Sequence, residues 1–354
     1  MKRIVATHHT VLSIFYTLIL MIFVLSGCSK VSDAISDNPT GDKYIHTVTV
    51  DGMVREFIVY VSQKARRDGY APVVLMFHGT SGDGEEFYNI SGWTQKSDTE
   101  GLIAVFPSAL YSCFKEDENG DGDFSDGGEL KTTTKWMGWD WATTTKFAQC
   151  TPADIAALSA ADQVRVNHPY PNDVIFFDAM LDYLGAHYSI DQKRIYATGF
   201  SNGGQFTSQL AMERSEKLAA TAGAAGGLSL PAVAATRPLT HVFTFGSLDD
   251  RFTTLIGVNE IPMQEMTIAI PLIDAMVDTL RTVVQVTDAY TYTEQTISSV
   301  KTSRWTYAAS TAGASNRLIV AVIDDAKHQY PNGKNHPVVM ANLLWDIFRP
   351  LSLP

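Results

Sequence analysis

A serine, two neighbouring aspartates and a histidine follow one another along the chain in an order that suits nucleophilic catalysis. Ser201 lies in the pattern Gly-x-Ser-x-Gly, in which Phe200 and Asn202 are the variable residues. A serine hydroxyl is a weak nucleophile until a general base takes its proton, and that base needs an acid to orient it. Asp249 and His328 follow later in the chain and can fill these two roles. We therefore predict Ser201 as the nucleophile, Asp249 as the orienting acid and His328 as the base of an ester hydrolysis through an acyl-enzyme.

The orienting acid has a second candidate, because Asp250 directly follows Asp249. Both carboxylates come after the strand-like run 241–245, where a strand is expected to end and a catalytic loop to begin. The sequence favours Asp249 and leaves the choice between the two neighbours open.

Two backbone N–H groups are predicted to stabilise the oxyanion that forms when the serine attacks. One belongs to Asn202, which follows the nucleophile at the expected start of a helix. The other belongs to Thr80, which follows the apolar run 72–77 and the dipeptide His78-Gly79, at the point where a loop of this fold supplies the second donor. His78 itself is predicted to brace this loop rather than to transfer protons.

Apolar runs alternate with segments of helical periodicity, and this alternation determines where the reactive residues must lie. Continuous apolar runs predict buried strands, and apolar residues at helical spacing predict helices at 173–188 and 205–212. A hairpin is predicted around Asp51-Gly52. Repeated alternation predicts an α/β-hydrolase fold, with a mostly parallel sheet flanked by helices on both faces. The predicted strands of this sheet cover residues 72–77, 102–106, 194–198, 219–225, 241–245 and 318–323.

The N-terminal residues have the pattern of an export signal. Lys2 and Arg3 precede a largely apolar run, which ends at Leu25-Ser26-Gly27-Cys28. This ending resembles the lipobox of bacterial lipoproteins, in which the cysteine carries lipid and anchors the protein to a membrane, here with the outer membrane favoured over the inner one. The alternative is an uncleaved transmembrane helix. We expect a signal peptide at 1–27, a flexible tether at 28–42 and a catalytic domain at 43–354.

The acidic charge limits the partners of the protein. The net charge is −11, and an acidic surface repels phosphates, so we expect no nucleic-acid partner. The expected partners are an ester substrate and, through the lipid on Cys28, a membrane. We expect the protein to be a monomer.

Two stretches interrupt the alternation of strands and helices: an acidic insertion at about 108–165 and a segment at about 285–308 that is rich in Thr and Ser. Cys113 and Cys150 flank the acidic part of the insertion. An even pair of cysteines in an oxidising compartment predicts a disulfide between them, and two free buried thiols are the alternative.

Oxygen-bearing side chains alternate inside the insertion, and Gly122 stands at the turn position of this pattern. Such spacing is typical of a Ca²⁺ loop, although the last carboxylate is one residue late for an EF-hand. A solvated acidic loop is the alternative. The predicted ligands of a structural Ca²⁺ are Asp117, Asn119, Asp121, Asp123 and Glu129.

Short motifs spread over residues 50 to 350 resemble, in matching order, the polyhydroxybutyrate depolymerase and feruloyl esterase group of α/β-hydrolases, which is related to carbohydrate esterase family 1. The resemblance implies the same triad and no cofactor for catalysis. It implies as substrate either feruloyl or acetyl esters of plant polysaccharide or a poly(hydroxyalkanoate)-type polyester. A peptidase of the same fold and a catalytically silent carbohydrate-binding lipoprotein are the alternatives. The motifs are Leu75-Met-Phe-His-Gly79, Ser91-Gly-Trp93, Val105-Phe-Pro107, Gly138-Trp-Asp-Trp141, Asn172-Asp-Val174, Tyr188-Ser-Ile-Asp191, the run from Arg194 to Gly204, Gly246-Ser-Leu-Asp249 and His328-Gln-Tyr-Pro331.

Aromatic residues near the predicted triad are candidates for a substrate pocket. Trp136, Trp139 and Trp141 follow the acidic loop, and we expect one of the three to belong to the core. Tyr330 stands where the resembling family has a tryptophan. We predict that Trp139, Trp141 and Tyr330 line an apolar pocket beside Ser201.

Overall fold

The computed structural model describes residues 39–116, 129–137, 147–227 and 233–354. Two sheets are present in these ranges, one of ten strands and one of three. The strands are β1 (Asp42–Val50), β2 (Met53–Val61), β3 (Ala71–Phe77), β4 (Ile103–Pro107), β5 (Tyr111–Glu116), β6 (Glu129–Thr134), β7 (Phe147–Gln149), β8 (Ile190–Phe200), β9 (Ala220–Ala224), β10 (Thr240–Gly246), β11 (Val286–Ile297), β12 (Val300–Ala309) and β13 (Arg317–Ile323).

Helices connect most of the central strands. A short 3₁₀ helix, Glu265–Ala269, precedes the longest helix of the C-terminal half. The α-helices are α1 (Gln63–Asp68), α2 (Gly84–Ile90), α3 (Trp93–Glu100), α4 (Pro152–Ala157), α5 (Ala160–Arg165), α6 (Asp173–His187), α7 (Asn202–Glu213), α8 (Asp250–Ile256), α9 (Pro271–Val284) and α10 (Met340–Phe348).

The large sheet has the strand order β1-β2-β4-β3-β8-β9-β10-β13-β12-β11. Its six central strands, from β4 to β13, run parallel, and the hairpins β1–β2 and β11–β12 extend the two edges in antiparallel pairing. The carboxyl ends of parallel strands meet at one edge of a sheet, where open α/β folds place their ligands. The loops after β3, β8, β10 and β13 therefore converge.

Both faces of the sheet are buried. On β3, Val73 and Leu75 belong to one hydrophobic cluster, and Val74 and Met76 belong to the other, because side chains alternate along a strand. Helices α6, α7 and α9 cover the first face, and α2, α3 and α10 cover the second. Burial on both sides explains why β3 and most of β13 are continuous apolar runs rather than alternating ones.

This architecture confirms the predicted α/β-hydrolase fold, and the differences concern the ends of elements. Strand β8 begins at Ile190 rather than Arg194, because the polar residues of its first half lie partly exposed and interrupt the apolar run. Helix α7 begins at Asn202 rather than Gln205, directly after the serine. The Thr- and Ser-rich stretch forms the antiparallel hairpin β11–β12.

The insertion forms a sheet of its own, with the strand order β6-β5-β7. Cys113 on β5 and Cys150 after β7 form the disulfide that the sequence predicts, with Cα atoms 5.6 Å apart. The hydroxyl of Tyr170 donates to the carbonyl of Cys113 and accepts from the backbone N–H of Cys150 at 3.0 Å. The disulfide and this tyrosine together hold the two ends of the acidic part of the insertion next to each other.

The predicted signal peptide at 1–27, Cys28 and most of the tether lie outside the described residues, and β1 begins at Asp42, one residue before the predicted domain boundary. Among the helices of the described ranges, none is both long enough and apolar enough to cross a bilayer.

Candidate active site

Ser201 occupies a sharp turn between β8 and α7. Its backbone has φ 51° and ψ −118°, a combination that a residue with a side chain adopts only under strain. The N–H of Ser201 donates to the carbonyl of Ala224 at 2.8 Å, and this bond holds the turn against the end of β9. The turn thus presents the serine at the carboxyl edge of the sheet.

Close packing of the backbone around this turn requires glycine at position 203. A Cβ atom added to Gly203 would lie 2.3 Å from the carbonyl oxygen of Phe77 and 2.4 Å from that of His78. No side chain fits at such distances. The helix that follows the serine therefore packs directly against the end of β3.

His328 links the serine to a buried carboxylate. Its Nε2 lies 3.1 Å from Ser201 Oγ, and its Nδ1 lies 3.0 and 3.1 Å from the two carboxylate oxygens of Asp249. An ionised carboxylate only accepts hydrogen bonds, so Nδ1 carries the proton and Nε2 is left to accept from the serine hydroxyl. The arrangement can move a proton from the serine to the imidazole.

The structure distinguishes the two neighbouring aspartates. Asp249 is fully buried, bonds to His328 and accepts the backbone N–H of Arg251 at 3.0 Å, which caps α8. Asp250 is the exposed first residue of α8, and its carboxylate lies near the same imidazole without a hydrogen bond to it. Asp249 therefore has the geometry of the orienting acid.

The loops that carry the acid and the base are bonded to each other. The N–H of Leu248 donates to the carbonyl of Ala326 at 2.9 Å, and the N–H of Ser247 donates to that of Ile323 at 2.9 Å. A Cβ at Gly246 would lie 1.9 Å from the Ala326 oxygen, so the loops touch through their backbones. This contact sets the distance between Asp249 and His328.

The two predicted oxyanion donors belong to two elements that meet at the serine. Asn202 is the next residue and the first of α7, so its N–H belongs to the positive end of the helix. Thr80 is exposed and follows Gly79, whose added Cβ would lie 3.4 Å from the Cβ of Ser201. Asn202 is thus adjacent to the serine in sequence, and the loop that carries Thr80 approaches the serine at Gly79.

His78 has the structural role that the sequence predicts. It is fully buried, its Nδ1 lies 2.6 Å from the carbonyl of Gly79, and its Nε2 accepts the backbone N–H of Ala109 at 3.0 Å. Burial lowers the pKa of this imidazole to about 4. A neutral His78 with both ring nitrogens bonded to backbone braces the loop that bears Thr80.

The prediction that Tyr330 lines the substrate pocket is wrong. Its side chain is 2% exposed, and its hydroxyl accepts the indole N–H of Trp93 at 3.2 Å, while burial raises its pKa. The ring packs edge-on against Phe87 and Phe200. The half-buried Phe200 ring lies 5.1 Å from the His328 ring, so in the described part of the chain Phe200 is an aromatic residue that borders the site.

Several predicted residues lie outside the described ranges and stay predictions. They include the two other pocket tryptophans and four of the five Ca²⁺ ligands. Glu129, the fifth, is exposed at the start of β6 and forms an ion pair with Lys131 at 3.3 Å. The predicted residues outside the described ranges are Trp139, Trp141, Asp117, Asn119, Asp121 and Asp123.

Sequence reasoning missed a buried ion pair close to the site. Arg55 and Asp173 are both fully buried, with Arg55 Nη2 2.6 Å from Asp173 Oδ1. One signal was available: on β2 the alternation places Arg55 between Met53 and Phe57 on the buried face. A charged residue at an inward position of a strand needs a buried partner.

Known proteins resemble this chain in sequence and in fold. The chain is 24% identical over 180 residues, 51% of its length, to a bifunctional acetylxylan esterase/xylanase, XynS20E, of Neocallimastix patriciarum. The match spans about a fifth of that curated protein, 19% of its length. Among solved structures, an S-formylglutathione hydrolase from Agrobacterium tumefaciens has a TM-score of 0.51 at 13% identity, over 89% of this chain and 98% of that one.

A feruloyl esterase module from Clostridium thermocellum has a TM-score of 0.47 at 12% identity, over 84% of this chain and 86% of that one. At these identities the structural likeness concerns the fold. The family model that matches residues 57–264 covers more than half of the chain and includes the serine turn and the acid loop. The chain belongs to the dienelactone hydrolase family.

Proposed function

We propose that this protein is a serine esterase that hydrolyses carboxylic esters through an acyl-enzyme. The observation that carries the proposal is the hydrogen-bonded chain from buried Asp249 through His328 to Ser201 on its strained turn. A silent binding protein would gain nothing from holding a serine in such a conformation.

The proposed reaction follows from the order of these contacts. His328 Nε2 takes the hydroxyl proton as Ser201 Oγ attacks the ester carbonyl carbon, and the N–H groups of Thr80 and Asn202 receive the oxyanion. The imidazolium, held by Asp249, then gives its proton to the departing alcohol oxygen. A water molecule then gives a proton to His328 as it attacks the acyl carbon. The bond to Ser201 Oγ breaks, His328 returns the proton to that oxygen, and the carboxylic acid leaves.

The substrate class that we propose is the feruloyl or acetyl esters of plant polysaccharide. The acetylxylan esterase relative supports this choice, since the likeness covers half of the present chain. The aromatic ring of Phe200 beside His328 offers an apolar surface to an acyl group.

The test uses purified protein on p-nitrophenyl acetate, methyl ferulate, acetylated xylan and polyhydroxybutyrate. We expect ester cleavage by the wild type, with acetylated xylan or methyl ferulate preferred, and loss of on the order of 10⁵-fold or more in kcat for Ser201→Ala. Ser208→Ala is the matched control, because Ser208 is a buried serine on α7, and among the described residues its hydroxyl bonds to the Gly204 carbonyl. Hydrolysis that survives Ser201→Ala would refute the proposal. A preference for polyhydroxybutyrate over the other esters would contradict the proposed substrate class and indicate a polyester substrate.

We also propose that Cys28 is lipidated and tethers the catalytic domain to a bacterial membrane, with the outer membrane favoured. The charged start, the apolar run and the sequence Leu-Ser-Gly-Cys support this. In a bacterial host we expect palmitate label and membrane recovery for the wild type, and neither for Cys28→Ala. Equal labelling of the two forms would contradict lipidation at this cysteine.

A further inference from the structure

Residues 134–137, which begin at the last residue of β6 inside the insertion, contact the loop that carries Thr80. We call these residues the bridging segment. Backbone and side chain both take part, and the indole of Trp136 is fully buried against the loop. The hydrogen bonds join Ser81 N to Thr134 O at 2.9 Å, Thr134 Oγ1 to Gly82 O at 2.6 Å and Trp136 Nε1 to His78 O at 2.9 Å.

The same segment contacts the second oxyanion donor. The side chain of Asn202 accepts the backbone N–H of Trp136 at 2.7 Å and donates to the backbone carbonyl of Trp136 at 3.2 Å. Two hydrogen bonds in opposite directions clamp the first residue of α7 to the bridging segment. The ring of Trp136 also stacks on Phe206 of α7, with centroids 5.4 Å apart.

The far end of the bridging segment is held by the buried ion pair. Asp173 Oδ2 accepts the backbone N–H of Met137 at 2.6 Å, while its Oδ1 accepts from Arg55. The guanidinium of Arg55 lies 4.0 Å from the centre of the Phe176 ring. A buried carboxylate bound to one backbone N–H and one fixed cation leaves the segment little freedom to shift.

We propose that Trp136 and Asp173 are positioning residues that set the distance between the two oxyanion donors, an inference that rests on the proposed esterase function. Thr80 lies in the loop after β3 and Asn202 begins α7, and a useful oxyanion hole needs both N–H groups about 2.7 to 3.1 Å from one oxygen. The bridging segment bonds to this loop and to Asn202, and it is itself anchored at Asp173. Neither positioning residue touches the substrate.

The first test compares Trp136→Phe with Trp305→Phe on p-nitrophenyl acetate. Trp136→Phe removes the indole donor to the His78 carbonyl and keeps an aromatic ring. Trp305 is equally buried and donates in the same way to the Glu265 carbonyl at 3.0 Å, but it contacts neither donor loop. We expect kcat to fall roughly 10- to 100-fold in Trp136→Phe, with KM within about twofold, since misplacing a catalytic contact by about 1 Å costs up to about 100-fold. The control should keep wild-type kcat.

The second test compares Asp173→Asn with Asp178→Asn. Both aspartates lie on α6 and pair with arginine. Asp178 Oδ2 accepts from Arg214 Nε at 2.9 Å, and this pair does not bond to the bridging segment. We expect the kcat loss only in Asp173→Asn. If this buried variant does not fold, Thr134→Val, which removes only the bond to Gly82, takes its place.

A transition-state analogue separates positioning from general structural damage. An aryl trifluoromethyl ketone adds to the serine and places its oxyanion in the hole, so its inhibition constant should rise by the same factor by which kcat/KM falls. Thermal unfolding of Trp136→Phe should match that of Trp305→Phe. Wild-type activity together with equal kinetics of Trp136→Phe and Trp305→Phe would overturn the inference and leave the esterase function standing. A wild type without esterase activity would overturn the function itself.

Discussion

At the scale of single residues, the contact between Asp249 and His328 decides the chemistry. The imidazole Nδ1 is within 3.1 Å of both carboxylate oxygens, and the carboxylate is buried from solvent. A buried carboxylate favours the charged imidazolium that forms during attack, and it fixes the tautomer that leaves Nε2 free to accept. Asp250, exposed on α8, can do neither.

The two aspartates should therefore differ sharply when each is changed to asparagine. We expect Asp249→Asn to lower kcat on the order of 10⁴-fold, because asparagine no longer holds the imidazole in the reactive tautomer. Asp250→Asn should lower it less than about threefold. Steady-state kinetics of both variants on one ester measure the two kcat values. A larger loss of kcat in Asp250→Asn than in Asp249→Asn would identify Asp250 as the orienting acid.

The sequence alone could reach the triad residues because motif, order and position after a strand are local signals. It could not choose between Asp249 and Asp250, because one step along the chain changes the direction of the side chain, so that Asp249 is buried and Asp250 is exposed. Tyr330 shows the same limit: two residues after the base, its side chain turns under Phe200 and joins the core. The direction of a loop side chain depends on tertiary contacts that no spacing encodes.

At the scale of elements, the central strands were predictable because burial on both faces demands continuous apolar runs. The start of β8 and the small sheet were not, since their residues are partly polar and pair with segments distant in the chain. The bridging segment escaped prediction for the same reason. Its role comes from hydrogen bonds to His78, Asn202 and Asp173, which lie far apart in sequence.

The disulfide should stabilise the small sheet more than the large one. Cys113 and Cys150 are 37 residues apart, and closing a loop of that length stabilises the fold by about 3 to 4 kcal/mol in the chain-entropy model. We expect dithiothreitol, or the double variant Cys113→Ser/Cys150→Ser, to lower the melting temperature. Dithiothreitol should have no further effect on the double variant, and unchanged melting in the reduced wild type would contradict the expectation.

At the scale of the whole molecule, burial of histidines makes stability depend on pH. His241 on β10 is fully buried, with Nδ1 2.8 Å from the hydroxyl of Thr221, and burial lowers its pKa to about 3. His78 has a pKa lowered to about 4 by burial. The imidazole of an unfolded histidine has a pKa near 6.5. Below that pH these two imidazoles bind protons in the unfolded chain and stay neutral in the folded chain.

The free energy of unfolding should therefore be highest above about pH 6.5 and fall as the pH drops towards 4. Urea unfolding at pH 7 and pH 5 measures the slope. We expect His241→Gln to reduce the loss between these two pH values, because the variant lacks the buried imidazole. An equal loss in His241→Gln and wild type would show that this histidine does not cause it.

The most direct measurement is covalent labelling of the native protein by a fluorophosphonate, followed by mass spectrometry of its peptides. The probe reacts only with a serine whose proton has an acceptor and whose oxyanion is stabilised. We expect one adduct, on Ser201, that is absent in Ser201→Ala and forms far more slowly in His328→Ala. No adduct on the wild type, or an adduct that persists in Ser201→Ala, would contradict the assignment of Ser201 as the nucleophile.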